Sequence, residues 1–245
     1  MKNILLTIEF DGRNFFGWQE QKEKKTVSGE IKKVLKEIFQ REVKLIGMGR
    51  TDRGVSALKY FCNFKISEEK IDWENLKKRM NYLLPAEIYV KEIKEVPLNF
   101  NSRYAVKNKT YCYLIFEGIS PVRREFFWEI PKKIDLQKIE EAKRFFLGEK
   151  DFSKFCYYSG KGVCRIEKIE IIKKNEEIIF KITGNRFLYK MVRRIVGALI
   201  DIGLGRRTLK DIENAFLGKH HLPLTTAPAK GLILYDCEID LLKNC

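Results

Sequence analysis

The chain has 245 residues, with 48 Lys and Arg against 33 Asp and Glu, a formal net charge of +15. Hydrophobic residues make up 44%, enough for a packed core, which excludes a wholly disordered chain. A surplus of that size calls for a polyanionic partner, and the 12% aromatic content favours nucleic acid, because bases stack on rings while phosphates meet Lys and Arg.

Lys2 to Phe10 reads as a strand. Gly29 to Gln40 is predicted helical, because Ile31, Val34, Leu35, Ile38 and Phe39 fall on one face. Val43 to Met48 and Leu58 to Phe64 are predicted strands. A helix follows from the N-cap Asp72 to Leu84, stopped by Pro85. Ile88 to Val96 closes this half in the order βαββαβ. The second half repeats the order. Thr110 to Phe116 is a strand with Tyr111 and Tyr113 on one face. Asp135 caps a helix to Leu147 that Gly148 ends. Arg165 to Lys173 and Glu177 to Thr183 form a hairpin. Phe187 to Ile202 and Thr208 to Leu217 are helices, and Gly231 to Ile239 is the last strand. The reading is an α/β (α+β) chain of two tandem ferredoxin-like, RRM-like βαββαβ halves with mainly antiparallel sheet, residues 1–103 and 104–245. RNA-binding modules of this topology use the open sheet face.

Several classes are excluded by what is scarce. The six cysteines form no Cys-x-x-Cys pair, and Cys62 and Cys112 lie in apolar strands, so buried free thiols in a reducing compartment are expected. The only histidines, His220 and His221, are adjacent, precede Leu-Pro and read as a loop; no metal site is expected. The opening apolar run, Ile4 to Ile8, is too short for a secretory leader. The best candidate for a membrane span, Ile195 to Leu204, contains Asp201. A cytoplasmic protein that does not enter membranes is expected.

Four segments can carry chemistry. Gly49-Arg50-Thr51-Asp52-Arg53-Gly54 places one carboxylate between two guanidiniums. Nearby cations favour the ionised form that a nucleophile needs, and Arg50 and Arg53 can hold phosphates. The alternative is a hairpin turn with a local salt bridge. Phe16-Gly17-Trp18-Gln19 can stack a base and bond its edge, or fill the core after a turn. Arg103-Tyr104 and Lys109-Thr110-Tyr111-Cys112-Tyr113 interleave cations and rings; a tyrosine there can stack on a base and move a proton, or belong to an ordinary half-exposed strand. Arg186, Lys190, Arg193 and Arg194 fall in the first turns of the long helix, where the macrodipole disfavours cations. Their partner is a phosphate or an internal carboxylate, unless they are solvated surface arginines.

Taken together, these segments resemble the tRNA pseudouridine synthase A family. The resemblance runs in family order from Phe10-Asp11-Gly12 and Phe16-Gly17-Trp18-Gln19 through Gly49-Arg50-Thr51-Asp52 and Gly54-Val55. It continues through Arg103, Tyr111, Tyr113, Asp151-Phe152 and Phe155 to Met191-Val192-Arg193, Ile195-Val196-Gly197, Ala227-Pro228-Ala229 and Gly231-Leu232. It implies a two-lobed fold with a basic cleft between the halves and a homodimer without metal or cofactor. It also implies conversion of uridine to pseudouridine in the tRNA anticodon arm, usually at nucleotides 38 to 40. Asp52 would be the catalytic aspartate, Arg50 would help extrude the target nucleotide, and Tyr111 would stack on the base and help remove its C5 proton. Arg193 would pair with Asp52, and Leu232 would line the pocket. Phe16, Trp18, Gln19, Arg53 and Arg103 complete the expected substrate-binding set. Arg53 stands where the bacterial pattern has a small residue, Ser56 where it has histidine, and Lys109 where it has arginine.

The chemistry suits these residues. Substrate and product are isomers, so no redox cofactor is needed. A carboxylate can attack ribose C1′ or uracil C6, or assist a glycal route. Retaining glycosidases also attack an anomeric carbon but need a second carboxylic acid, and the glycine-flanked motif holds only one. The competing reading is a non-catalytic RNA-binding protein with two RRM-like modules, which leaves the lone acid between arginines unexplained.

Overall fold

The computed structural model describes residues 1–67, 70–157, 162–219 and 225–241. His220 and His221, expected in a loop, lie outside the described residues. The chain divides into two compact units, one of residues 1–107 with 234–245 and one of residues 108–233.

In the first unit, β1 (Lys2–Phe10) is followed by α1 (Val27–Phe39), β2 (Leu45–Gly47), β3 (Ser56–Ile66), α2 (Trp73–Leu83) and β4 (Ile88–Val96), the order read from the sequence. β1 is the middle strand, paired antiparallel with β3 on one side and β4 on the other, and β2 extends β3. Its run Ile4 to Ile8 is buried along both faces, which explains why it lacks a polar alternation. Thr26 caps α1, its hydroxyl accepting from the Gly29 N–H, so the helix starts two residues before the periodicity suggested. Asp72 caps α2 in the same way through the Asn75 N–H at 3.0 Å, as expected. Ile31, Val34 and Leu35 of α1 and Leu76 and Met80 of α2 are buried.

The second unit holds most of β5 (Val106–Phe116), then β6 (Trp128–Glu129), α3 (Leu136–Lys143), β7 (Gly148–Asp151), β8 (Val163–Lys174), β9 (Glu177–Gly184), α4 (Met191–Gly203) and α5 (Leu209–Phe216). β5, β9, β8 and β7 lie side by side as antiparallel pairs, and β6 adds a short parallel edge to β5. The hairpin turn was anticipated; Asn175 takes its positive φ of 54°. The predicted single helix to Leu147 is α3 followed by a tighter turn over Arg144–Phe146, and Gly148 then takes a φ of 88°. Phe146, Phe152, Phe155 and Phe216 form a ring cluster, four of its pairs edge to face at 5.0–6.4 Å and the Phe155–Phe216 pair tilted at 4.6 Å.

Two further readings change. The long helix begins at Met191 rather than Phe187, because Lys190 adopts the left-handed conformation with φ 59° and the Met191 N–H turns back to the Leu188 carbonyl. Of the four cations assigned to its first turns, Arg193 and Arg194 lie in the helix, Lys190 is its N-cap and Arg186 precedes it. Sequence order places the last strand, β10 (Leu232–Ile239), at the close of the second half; from Leu234 onward it belongs to the first unit, next to β3. Among the described residues no helix is long and apolar enough to cross a membrane.

Candidate active site

The Gly49–Gly54 segment leaves β2 and returns into β3, and two earlier loops grip it. On one side Gly17, at φ 85°, packs directly on the backbone of Thr51 and Asp52; a methyl group there would collide with the Thr51 carbonyl oxygen and come within 3.2 Å of the Asp52 carbonyl carbon. On the other side Gly12 leaves no room for a Cβ against the Val55 carbonyl. Its N–H donates to the Ser56 hydroxyl at 2.9 Å, and that hydroxyl donates to Asp11 at 3.4 Å. The Gly54 N–H donates to the Phe15 carbonyl, and the Val55 N–H to the Asp52 carbonyl, each at 3.2 Å. Asp52 itself is half-buried.

The gripping loop is held by α1. Two N–H groups of the helix's first turn, which have no partner inside the helix, donate instead to the Gly17 and Trp18 carbonyls at 3.2 and 3.1 Å. The Trp18 ring is 5% exposed and stacks on Tyr60 with centroids 4.2 Å apart. The Tyr60 hydroxyl donates to the Gly49 carbonyl. Trp18 thus supports the root of the loop through Tyr60. Phe16 is half-buried and receives the Arg53 guanidinium over its ring at 4.2 Å, with Lys24 at 4.8 Å. Arg50 and Gln19 are exposed.

A buried polar network holds the segment that carries Arg103. Asn3, Asn63 and Ser102 are all fully buried. The Asn63 carboxamide donates to the Asn3 side-chain oxygen and accepts from the Ser102 N–H, both at 2.9 Å. Asn3 in turn donates to the Pro97 and Phe100 carbonyls at 2.9 Å. The Ser102 hydroxyl closes the network on the Ile46 carbonyl of β2 at 2.8 Å. The strand that leads into the Asp52 loop and the segment that presents exposed Arg103 are therefore tied through three buried side chains. None of the three was singled out from sequence; Asn3 and Asn63 interrupting apolar strands is the signal that could have found them.

In the second unit a cluster forms around α4. Arg193 donates through Nε to the Ala227 carbonyl at 2.6 Å, and the Ala227 N–H returns a bond to the Arg193 carbonyl at 3.1 Å. The Tyr113 hydroxyl, fully buried, donates to the next carbonyl, Pro228, at 2.7 Å. Burial pushes the Tyr113 phenol well above its usual range, opposed by the Arg193 charge. Gly231 packs on the Tyr113 ring, and Leu232 follows, 5% exposed. Tyr111, two residues from Tyr113 on β5 and 9% exposed, meets Phe187 edge to face at 5.1 Å. The 227–232 segment thus brings Arg193, Tyr113 and Leu232 together, and Tyr113, a member of the cation-and-ring segment read from the sequence, packs into it.

The described cysteines are free and buried, as expected, and burial raises the Cys112 thiol to about 11.

The Asp52 carboxylate thus sits on a clamped loop next to a ring faced by cations, carried by mostly antiparallel α/β sheet. A family model described as tRNA pseudouridine synthase matches residues 6–105 and 142–240. A tRNA pseudouridine synthase A of Caldicellulosiruptor saccharolyticus is 41% identical over 242 residues, 96% of this chain and 99% of that protein. A tRNA pseudouridine synthase A of Caldicellulosiruptor bescii is 40% identical over the same shares of each chain, and tRNA pseudouridine synthase A 2 of Clostridium tetani is 39% identical over 96% and 98%. The chain belongs to the tRNA pseudouridine synthase family. Among solved structures, the archaeal box H/ACA sRNP Nop10-Cbf5 complex aligns at 13% identity and a TM-score of 0.41, covering 81% of this chain and 44% of that one, too distant to carry chemistry.

Proposed function

We propose that this protein isomerises uridine to pseudouridine in the anticodon arm of tRNA, at nucleotides 38 to 40, as a homodimer that uses no cofactor. The observation that carries the reading is the clamp on the Asp52 loop. Two residues that lack side chains let neighbouring backbone press on it, Gly17 at Thr51 and Asp52 and Gly12 just beyond, at Val55. A carboxylate that must meet one carbon atom benefits from such a rigid support, since misplacement by about 1 Å can cost a hundredfold in rate.

Asp52 is the catalytic carboxylate. It attacks C1′ or C6, or assists a glycal route. By each route the C1′–N1 bond breaks, C1′ bonds C5, the C5 proton leaves and N1 gains a proton. Tyr111 stacks on the uracil and takes part in removing the C5 proton. Arg193, held by the Ala227 carbonyl, is the cation that the family resemblance assigns to the catalytic carboxylate. Leu232 lines the pocket. Extruding a paired base costs about a few kcal/mol, which Arg50 helps to offset as the nucleotide turns out and Arg53 and Arg103 by meeting phosphates. Phe16 contributes a ring face for a base, Trp18 holds the loop, and Gln19 presents an amide. The first unit carries the Asp52 loop and the second the pocket residues.

The assay is tritium release from C5-labelled uridine in tRNA. The enzyme releases tritium in proportion to pseudouridine formed; an RNA-binding protein without catalysis releases none.

A further inference from the structure

Tyr157 and Tyr189 are large aromatic residues left 53% and 54% exposed in the second unit. Their rings meet edge to face with centroids 6.2 Å apart. The Tyr157 N–H donates to the Tyr189 carbonyl at 3.0 Å, so the backbone fixes the pair. Lys190 sits against both rings, its Nζ 4.4 Å from the Tyr157 centroid and 5.1 Å from that of Tyr189. The Arg194 guanidinium lies 4.6 Å from the Tyr157 centroid and donates through Nη1 to the Cys156 carbonyl at 2.8 Å.

Three costs converge on this cluster. Two half-exposed rings keep apolar surface in water. Lys190 holds a left-handed backbone, φ 59°, which a side chain disfavours. Lys190 and Arg194 also stand at the N-terminal end of α4, where the macrodipole opposes cations. Among the described residues no carboxylate pairs with either cation, and Arg194 Nε is buried without a hydrogen-bond partner. An anionic ligand with flat apolar faces answers the first and the third together: its base meets a ring and its phosphate meets the cations.

We infer that Tyr157 and Tyr189, with Lys190 and Arg194, form a stacking platform for a second, unpaired nucleotide of the RNA substrate, separate from the nucleotide that reacts. The inference rests on the reading that the chain acts on tRNA. Stacking is sequence-tolerant, because every base has a π-face. The platform therefore contributes affinity and register on the RNA rather than a choice of base.

The test measures the Kd for an unmodified tRNA transcript across a range of salt concentrations, with pseudouridine formation assayed on the same transcript. Tyr157→Ala and Tyr189→Ala are each expected to weaken binding about tenfold, within the range for loss of one stacked base, while the dependence of log Kd on log salt stays as in the wild type. Tyr157→Phe and Tyr189→Phe keep the ring and are expected to bind as the wild type does. Lys190→Gln is expected to lower the salt slope by about one, the signature of one phosphate contact. Alanine variants that bind within twofold of the wild type overturn the platform, as do phenylalanine variants that lose as much as alanine. Failure of the wild type to form pseudouridine overturns the enzymatic reading instead, and the binding series still judges the platform.

Discussion

Gly17 and Thr51 are locked backbone to backbone: the glycine, at φ 85°, lies where any Cβ would strike the Thr51 carbonyl oxygen. The residue next to Thr51 is Asp52, so the contact sets the floor under the proposed nucleophile. Gly17→Ala combines a strained φ with a clash and is expected to destabilise the first unit by more than about 1 kcal/mol. It is also expected to cut kcat by at least tenfold as the loop shifts. Thermal melting and steady-state kinetics on tRNA check both, and an unchanged kcat would separate the contact from the chemistry.

The Asn3–Asn63–Ser102 network ties β2 to the Arg103 segment. Asn63→Leu removes one member and leaves the Asn3 oxygen and the Ser102 N–H buried and unpaired, at a cost of about 1–3 kcal/mol each. For a chain of this size each kcal/mol corresponds to roughly 2–4 °C. The expected fall in Tm is therefore roughly 5 °C or more. A fall under about 1 °C would mean that water satisfies both groups.

Acid sensitivity is expected from Asp11. Partial burial pushes its carboxyl up, but hydrogen bonds from Arg13, at 2.6 to 3.0 Å, and the Arg13 charge outweigh this and hold it below the ordinary aspartate value. A depressed folded value means that the contribution is complete above the unfolded aspartate range, about pH 4, and is lost as pH falls through the lower folded value. Asp11→Asn should flatten the acid limb of a Tm-against-pH curve in that window. A limb as steep as the wild type's would assign the acid transition to other carboxylates.

Tyr111→Phe keeps the ring and removes the phenol. The proposed part in C5 deprotonation requires kcat to fall while KM stays near the wild-type value. A rise in KM at unchanged kcat would confine Tyr111 to stacking.

Much of the fold was legible because its signals are local. β1 and β4 have the predicted ends, and Asp72, Asp135 and Thr208 cap the helices they precede. β7 was missed because Gly148-Glu149-Lys150-Asp151 has no apolar alternation and exists as a strand only through its pairing with β8. The start of α4 was misplaced because apolar spacing continues through Phe187 and Leu188, and nothing in a lysine announces a left-handed backbone. The membership of β10 is non-local: a strand's pattern shows that it pairs, not with which neighbour. For the candidate site the chemistry-bearing residues were legible as types, whereas their supports were not. Trp18 reads as a possible stacking ring and is packed against Tyr60, and Asn63 reads as an interruption and is the centre of a network.

The central claim is that one carboxylate performs the isomerisation. Asp52→Asn preserves size and polarity while removing the carboxylate, and the decisive measurement is tritium release from C5-labelled tRNA by this variant alongside its Kd for the same RNA. The account predicts no release above background with a Kd close to the wild type's; release at the wild-type rate would contradict it.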